Sequence, residues 1–526
     1  VRRQYNLKEL HLGSALILDF IDESEKTRAF CSDYFSFDRA IQKASERRFP
    51  QQNRNVLNAV LKQQYTGIDE KAPVAKNIDL LLQPNVFTIT VGHQLCLLGG
   101  PLFYFSKIAQ AIALCRQLNE KQKELRFVPL FWMASEDHDF GEIDKLTIFN
   151  EQFLCEPPVT KGPAGRIPTT HFSGFLEKVR SKFTGTEQAK FDKIVDVYAR
   201  SANLSEATRK FVHSIFGDFG LVVVDGDDSA LKALFSDVMS KELLERTTER
   251  TVAATNQLLS AAGYHHQAFV REINLFGMTD ELRERIVPAG DSFKIGDTTF
   301  NKEELIDEIH QNPSFLSPNA LLRPLYQETI LPNIVFMGGG GEIAYWLQLK
   351  KTFDAFGIPF PLIRLRDSYL ITRKKDEAAL DALGLDLPEL LSDLDHLLRT
   401  WTLKNAVINL DLTDEKSALA NIRLIMLDKA SRVDATLRAS VEAEFTKMDQ
   451  GLEGLGQKLI RAEKRTRETE LTRIKGLREK MLPTGDLQER VLSGIQFLVS
   501  QSNLIQDLVQ MNLDNTQKIK LIVFDE

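Results

Sequence analysis

Eight consecutive residues, Ser135-Glu136-Asp137-His138-Asp139-Phe140-Gly141-Glu142, hold four carboxylates and one imidazole. Carboxylates this close raise one another's pKa, and they suit a general base, recognition of a substrate amine, or magnesium. Asp137, His138 and Asp139 are therefore candidate catalytic residues. If the segment stays extended, its alternation puts Asp137 and Asp139 on one side and Glu136 and His138 on the other. An acidic helix cap or a solvated loop is the plainer reading of the same residues. His138 among acids reads as a hydrogen-bonded organiser rather than a zinc ligand, and no metal ligands are assigned.

A second candidate is Gly92-His93-Gln94-Leu95-Cys96-Leu97-Leu98-Gly99-Gly100-Pro101. Gly99 and Gly100 permit close backbone approach, a helix start beyond Pro101 offers free N–H groups to an anion, and Gln94 adds an amide. His93 can donate to phosphate or move a proton near neutrality. The segment is neither a GxGxxG nor a P-loop, and a tight strand-to-helix turn explains it equally well. A third is Gly338-Gly339-Gly340-Gly341-Glu342, where four glycines suit a backbone that curls around a ligand or another segment. Upstream, Asn319, Arg323 and Gln327 recur at steps of four, which would put them on one helical face. Arg323 there could clasp a carboxylate or phosphate with both terminal nitrogens.

These segments need a frame. Val86 to Val91 is a β-branched run ending at Gly92, Leu102 to Leu118 has helical spacing behind Pro101, and Phe127 to Met133 is a second apolar run. The three make a β-α-β unit with parallel strands. Leu221 to Val224, Asn333 to Met337 and Pro361 to Arg366 are further short strands, each followed by polar or glycine-rich residues. The fold class is α/β with an open parallel sheet, whose ligands bind at the carboxyl ends of the strands. Insertions are expected at 150–216 and 229–330, the second with a helix near 238–262, strand-like sequence from His265 to Phe276 and a hairpin at Ile295-Gly296-Asp297-Thr298.

The core should close near residue 372, with a helical domain over 373–512 and a terminal strand in 513–526 returning to the core. Leu437, Val441, Phe445, Met448, Leu452, Leu455 and Leu459 make one apolar stripe on a long charged helix, read as an antiparallel coiled coil with a preceding helix in 376–430. The reversal is placed at Ser431–Asp434 rather than Gly451–Gly456, and a final helix at about 486–511.

A balance of 66 Lys+Arg against 73 Asp+Glu gives a net charge of −7, so nothing in the bulk electrostatics favours nucleic acid or an anionic membrane. Four cysteines without a CxxC argue against a disulfide framework. No apolar run precedes Asp19, and the uncharged stretch Val86–Phe105 is broken by His93, Gln94 and Gly99-Gly100-Pro101. A signal peptide and a membrane span are not expected, and a cytoplasmic location is.

Taken in order, Gly92-His93-Gln94 with Gly99-Gly100-Pro101-Leu102-Phe103, Val128-Pro129 through Asp139-Phe140, Asn319 to Gln327, Gly338 to Trp346, Leu459 to Arg465 and Leu487-Gln488-Glu489-Arg490 resemble the bacillithiol biosynthesis cysteine-adding enzymes, the BshC family. The family's usual first motif carries threonine and glutamine where this chain has Val91 and His93. The resemblance implies a Rossmann-like core with connecting-peptide insertions and a carboxy-terminal coiled coil that makes a homodimer. It also implies ligation of cysteine to the amine of glucosaminyl-malate. ATP is expected on chemical grounds, because amide formation from a free carboxylate is uphill; no Walker A, HIGH or KMSKS motif announces it.

On this basis the Gly92–Pro101 and Gly338–Glu342 turns, with Gly339 and Gly340, bind anionic groups. Asp137 and Asp139 meet the amine or a metal, Arg323 and Arg364 take a substrate carboxylate, and Tyr345 and Trp346 form a wall. Two other readings stand beside it: a class I nucleotidyl-transfer ligase acting on another amino acid or amine, and a non-catalytic coiled-coil scaffold with a nucleotide-binding core.

Overall fold

Val86 to Val91 is buried at every position, as a central parallel strand covered on both faces requires. The computed structural model, which describes residues 3–10, 12–159 and 161–524, makes it β1 (Val86–His93) of a five-stranded sheet. The other strands are β2 (Arg126–Met133), β3 (Val222–Asp225), β4 (Asn333–Gly338) and β5 (Leu362–Leu365). The order is β5-β4-β1-β2-β3 and every neighbouring pair is parallel. Register sets Met133 beside both His93 and Asp225, and Gly338 beside Leu365, so these strands leave the sheet along one edge.

The chain runs outward from β1 through β2 to β3, then returns to the far flank of β1 for β4 and β5. That reversal opens a crevice at the carboxyl ends of β1 and β4, where open α/β sheets bind ligands. Three helices frame it. Helix α1 (Leu102–Lys121) follows Pro101 and crosses from β1 to β2; α2 (Arg323–Ile330) precedes β4; α3 (Gly340–Leu347) follows it directly. Most of α1 is buried, including Ile108, Ile112 and Cys115, as its apolar spacing predicts.

The inserted segments depart from expectation in instructive ways. The helix predicted near 238–262 is two, Ser236–Glu245 and Thr247–Ala261, broken at Arg246 with φ +50°. The buried Glu242 carboxylate accepts the Thr248 N–H across the break and so supplies the second helix with a cap. The predicted strand from His265 to Phe276 shrinks to Leu275–Met278, because Gln348 Oε1 takes the N–H groups of Gln267 (3.1 Å) and Ala268 (2.8 Å) that a strand partner would need. Leu275–Met278 belongs to a separate antiparallel sheet, in which Ile295 pairs with Thr298 in the expected hairpin.

The chain forms two compact units, residues 3–370 with 489–521, and residues 371–488 with 522–524. Residues 489–512, expected with the helical domain, thus cluster with the sheet: the Leu102 N–H donates to Leu492 O (2.9 Å) and Arg116 to Gln510 O (3.0 Å). The single helix expected over 486–511 is three short ones, the second capped by Ser493. The terminal strand pairs antiparallel with Arg3–Asn6, outside the central sheet.

In the second unit the long helix that carries the Leu437–Leu459 stripe ends at Thr466. Helix α4 (Thr413–Val433) packs on α5 (Leu437–Thr466), and Glu468–Met481 follows as a separate helix. Pairing of Lys416 with Glu453 (3.1 Å) and of Arg423 with Glu442 makes α4 and α5 antiparallel, with the turn at Asp434. Among the described residues no helix is long and apolar enough to cross a membrane.

Two left-handed glycines test how the turn before α1 is built. Gly67 (φ +77°) has open space where a Cβ would stand, whereas at Gly99 (φ +79°) a Cβ would lie 2.5 Å from Phe105 Cζ. Gly67→Ala should cost about 1–2 kcal/mol for the backbone alone. Gly99→Ala should cost a further ~1–3 kcal/mol for overpacking. Urea denaturation of the two variants measures the difference, and equal losses would refute this account of the turn.

Candidate functional site

Lys107 is the lone charge in the first three turns of α1, and its side chain is only 1% exposed. A buried ammonium needs a partner. It finds Glu342 of α3, whose Oε2 lies 2.6 Å from Lys107 Nζ and also accepts the Gly339 N–H at 2.9 Å. Burial lowers the lysine's pKa against the pull of Glu342; burial would raise the glutamate's, but Lys107 and the Gly339 N–H hold it below the usual range. This pair ties the helix after β1 to the helix after β4, across the crevice.

Around it gather the other groups. Arg323, at the start of α2, donates to Gln327 Oε1 and to the Tyr345 hydroxyl, both at 3.0 Å, and sits 6.0 Å from the ring centres of Trp132 and Phe336. Arg366, just past β5, lies over Phe103 (4.8 Å) and donates to Glu489 Oε1 at 2.7 Å, while the other oxygen of this buried carboxylate accepts the Tyr369 N–H. The first turn of α3 is half-open at Gly340 and exposed at Gly341. Lys107 and Arg366 are buried on their carboxylate partners, so the crevice offers an anion the half-exposed Arg323 and a helix amino terminus.

His93 is half-buried between Phe103 and Tyr104. Burial pushes its pKa down to about 4; Lys107 reinforces this and Glu342 opposes it. Its ring is thus neutral at pH 7. Cys96 Sγ lies 3.7 Å from Nδ1, but burial raises that thiol to about 12, so the two do not make a thiolate–imidazolium pair. Cys31, Cys115 and Cys155 are buried too, with thiol pKa values raised by desolvation.

The acidic segment after β2 folds as a turn rather than an extended chain, with Asp137 N–H bonded to Ala134 O and Asp137 Oδ1 accepting the His138 and Asp139 N–H groups. Asp139 and Glu142 face solvent along the rim, where Gln94 donates to Glu142 at 2.5 Å, and Asp137 beside them is half-buried, 3.8 Å from Arg283. His138 accepts from Arg283 through Nδ1 at 2.8 Å, as the organiser reading anticipates. Glu136 alone points inward. It meets buried Lys232 at 2.7 Å, and Lys232 bridges to Asp227, which Arg166 grips through both oxygens. Among the described residues no three His, Cys, Asp or Glu side chains group as metal ligands.

Several expected binders have other work. Gly99 and Gly100 are buried, and their N–H groups close the turn on Cys96 and Leu97. The Gly92–Pro101 segment therefore does not present an open anion cradle. Asn319 lies before α2 rather than on it, because the helix starts at Arg323 with Pro324 in its first turn; its Oδ1 caps Leu321 and Leu322. Gln327 is buried behind Arg323. Arg364 is 0% exposed, held by Asp514 O and near Asp367, and so does not face the crevice as assigned. Tyr345 lines the crevice, but Trp346 stacks on Phe336 (4.2 Å) inside the core.

Sequence reasoning misses Lys107, Arg366 and Lys232, and names Glu136 and Glu489 only as members of longer segments. Lys107 carried a readable signal, a charge on an otherwise apolar helix; the others acquire their partners from segments up to 123 residues away.

Two family models match the chain. One described as "Bacillithiol biosynthesis BshC, N-terminal Rossmann-like domain" covers residues 3–367, and one described as "Bacillithiol biosynthesis BshC, C-terminal coiled-coil domain" covers 369–524. Relatives named "Putative cysteine ligase BshC" share this span. That of Flavobacterium johnsoniae is 35% identical over 95% of this chain and 95% of its own. That of Cytophaga hutchinsonii is 37% identical over 96% and 95%, and that of Christiangramia forsetii 33% over 98% of each.

His93 gives a pH signature. Its folded pKa of about 4 lies below the ordinary 6.5, so the unfolded chain takes the proton first and stability falls as pH drops from 6.5 to 4. His93→Gln should remove up to ~3 kcal/mol of that pH dependence while leaving stability above pH 7 little changed. Chemical denaturation of both proteins at a series of pH values checks it; parallel curves would show that His93 is protonated in the fold.

Proposed function

The chain belongs to the BshC family of bacillithiol biosynthesis, and from that premise we propose that it joins the carboxyl group of cysteine to the amine of glucosaminyl-malate. The observation that carries this reading is a division of charge along one sheet edge. Arg323 and the α3 amino terminus give the crevice its positive character, since Lys107 and Arg366 are matched by Glu342 and Glu489, and the acidic rim of Asp137, Asp139 and Glu142 stands after the adjacent strand. A ligase for these substrates has to hold an anionic group and receive a cationic amine, and the two regions suit those tasks.

The condensation is uphill at neutral pH, so ATP is the activating co-substrate in this proposal. Its phosphates, like a substrate carboxylate, suit the basic crevice. Arg323 neutralises and orients the anion. The amine arrives protonated, and Asp137 with Asp139 attracts it and accepts its proton, freeing the lone pair for attack on the activated acyl carbon. Neutral His93 lies beside the cations, where an imidazolium would be repelled. Attack forms the C–N bond and expels AMP or phosphate, according to whether an adenylate or an acyl phosphate was formed.

Purified protein with cysteine, glucosaminyl-malate and ATP should yield the amide-linked thiol by mass spectrometry. Arg323→Ala should lower kcat/KM by about 10²–10³-fold, in the range for loss of a preorganised charge. Asp137→Asn should lower kcat by ~10²-fold or more. No thiol product from the wild-type protein, or full activity in both variants, would overturn the proposal.

We also assign the helical unit to pairing with a second copy. Helix α4 exposes Leu424 (65%) and Ile425, and α5 exposes Leu455 (57%) and Leu459, an apolar surface that a second chain would cover. Sedimentation should give a dimer for the wild type and a monomer for Leu424→Glu/Leu455→Glu. A monomeric wild type at micromolar concentration would refute it.

A further inference from the structure

Arg323 is held from behind. Its Nη1 donates to Gln327 Oε1 at 3.0 Å, and the amide nitrogen of buried Gln327 donates to Glu328 Oε1 at 2.9 Å. The same glutamate oxygen accepts from Asn333 Nδ2 at 2.7 Å, and Asn333 Oδ1 accepts the hydroxyls of Thr88 (3.2 Å) and Thr90 (2.8 Å) on β1. An amide has one donating end and one accepting end. Because Glu328 takes the nitrogen, Gln327 must turn its oxygen to Arg323.

We propose that Glu328 is a positioning residue for Arg323, and that its charge state sets how firmly the crevice holds a carboxylate ligand. The inference rests on the reading of Arg323 as an anion-binding group. Glu328 is 1% exposed, and its Oε2 has no hydrogen-bond partner. The charged groups facing it are Arg47 and Lys43, from helix Phe37–Glu46 and its carboxyl cap; Gln327 and Asn333 are its polar neighbours from α2 and β4. Burial raises its pKa to about 7 against the pull of Arg47, so the carboxyl changes charge near neutrality. Ionised, Oε1 is a charged acceptor that locks both amides in place. Protonated, it is an acceptor of about half the strength. The Gln327 amide is then held less firmly, and the guanidinium it supports loses part of its rear support.

Malate is the probe, because its two carboxylates stay ionised between pH 6 and 8. Calorimetric titration of full-length wild-type protein should show affinity rising by about 3–10-fold across that range, the scale of strengthening one hydrogen bond by charge. Other groups in the crevice can titrate as well, so the reading is the difference between proteins. Glu328→Gln should lose this rise, and Gln327→Met, which cuts the link but keeps the carboxyl, should lose it too. Either variant alone suffices if the other does not fold. Wild-type-like pH profiles in the variants, with Arg323→Ala weakening malate at every pH, would overturn the positioning role and leave the site reading intact. Unchanged malate binding by Arg323→Ala would overturn both.

Discussion

The ion pair between Lys107 and Glu342 is the contact on which the crevice depends. Removing an ammonium and a carboxylate from water is expensive, and their attraction offsets it only when further hydrogen bonds complete the shell. Here the Gly339 N–H supplies one such bond. The pair joins α1 to α3, two helices more than two hundred residues apart in the chain that flank the switch point of the sheet. Losing Glu342 leaves the lysine buried and uncompensated. Burial keeps His93 neutral, and Lys107 and Arg366 add to it against the pull of Glu342.

The remaining cations are braced in the same manner, each by a buried polar group behind it. Arg366 leans on Glu489, supplied by the segment after the helical unit, and Arg323 leans on Gln327. Chain that lies far along the sequence thus serves the site. Beyond the neighbouring strand, Glu136, Lys232, Asp227 and Arg166 make a second buried network that anchors the base of the acidic turn. Rigid support beneath each charge is what preorganised binding of an anion requires.

The parallel sheet was legible because its strands are short apolar runs, buried on both sides and ended by polar or glycine-rich turns. Period and residue type carry that much. Partnership is different. Arg364 and Arg366 sit two residues apart at the end of β5, yet one is held in the interior near Asp367 and the other reaches Glu489. Nothing local distinguishes them. Asn319, Arg323 and Gln327 looked like one helical face, and Pro324 instead starts the helix at Arg323. Trp346 next to Tyr345 looked like half of an aromatic wall until Phe336 claimed it. In the acidic segment the composition was informative, but the turn set by Asp137 decided that Glu136 alone faces inward.

The burial of all four thiols has a bearing on the chemistry proposed. Exchange with a disulfide begins with attack by a thiolate, and desolvation keeps each of these sulfurs protonated. A catalyst whose substrate and product both carry free sulfhydryls is thereby insulated from mixed-disulfide formation with either. It can work in a compartment whose redox balance swings without its own sulfur becoming part of the pool.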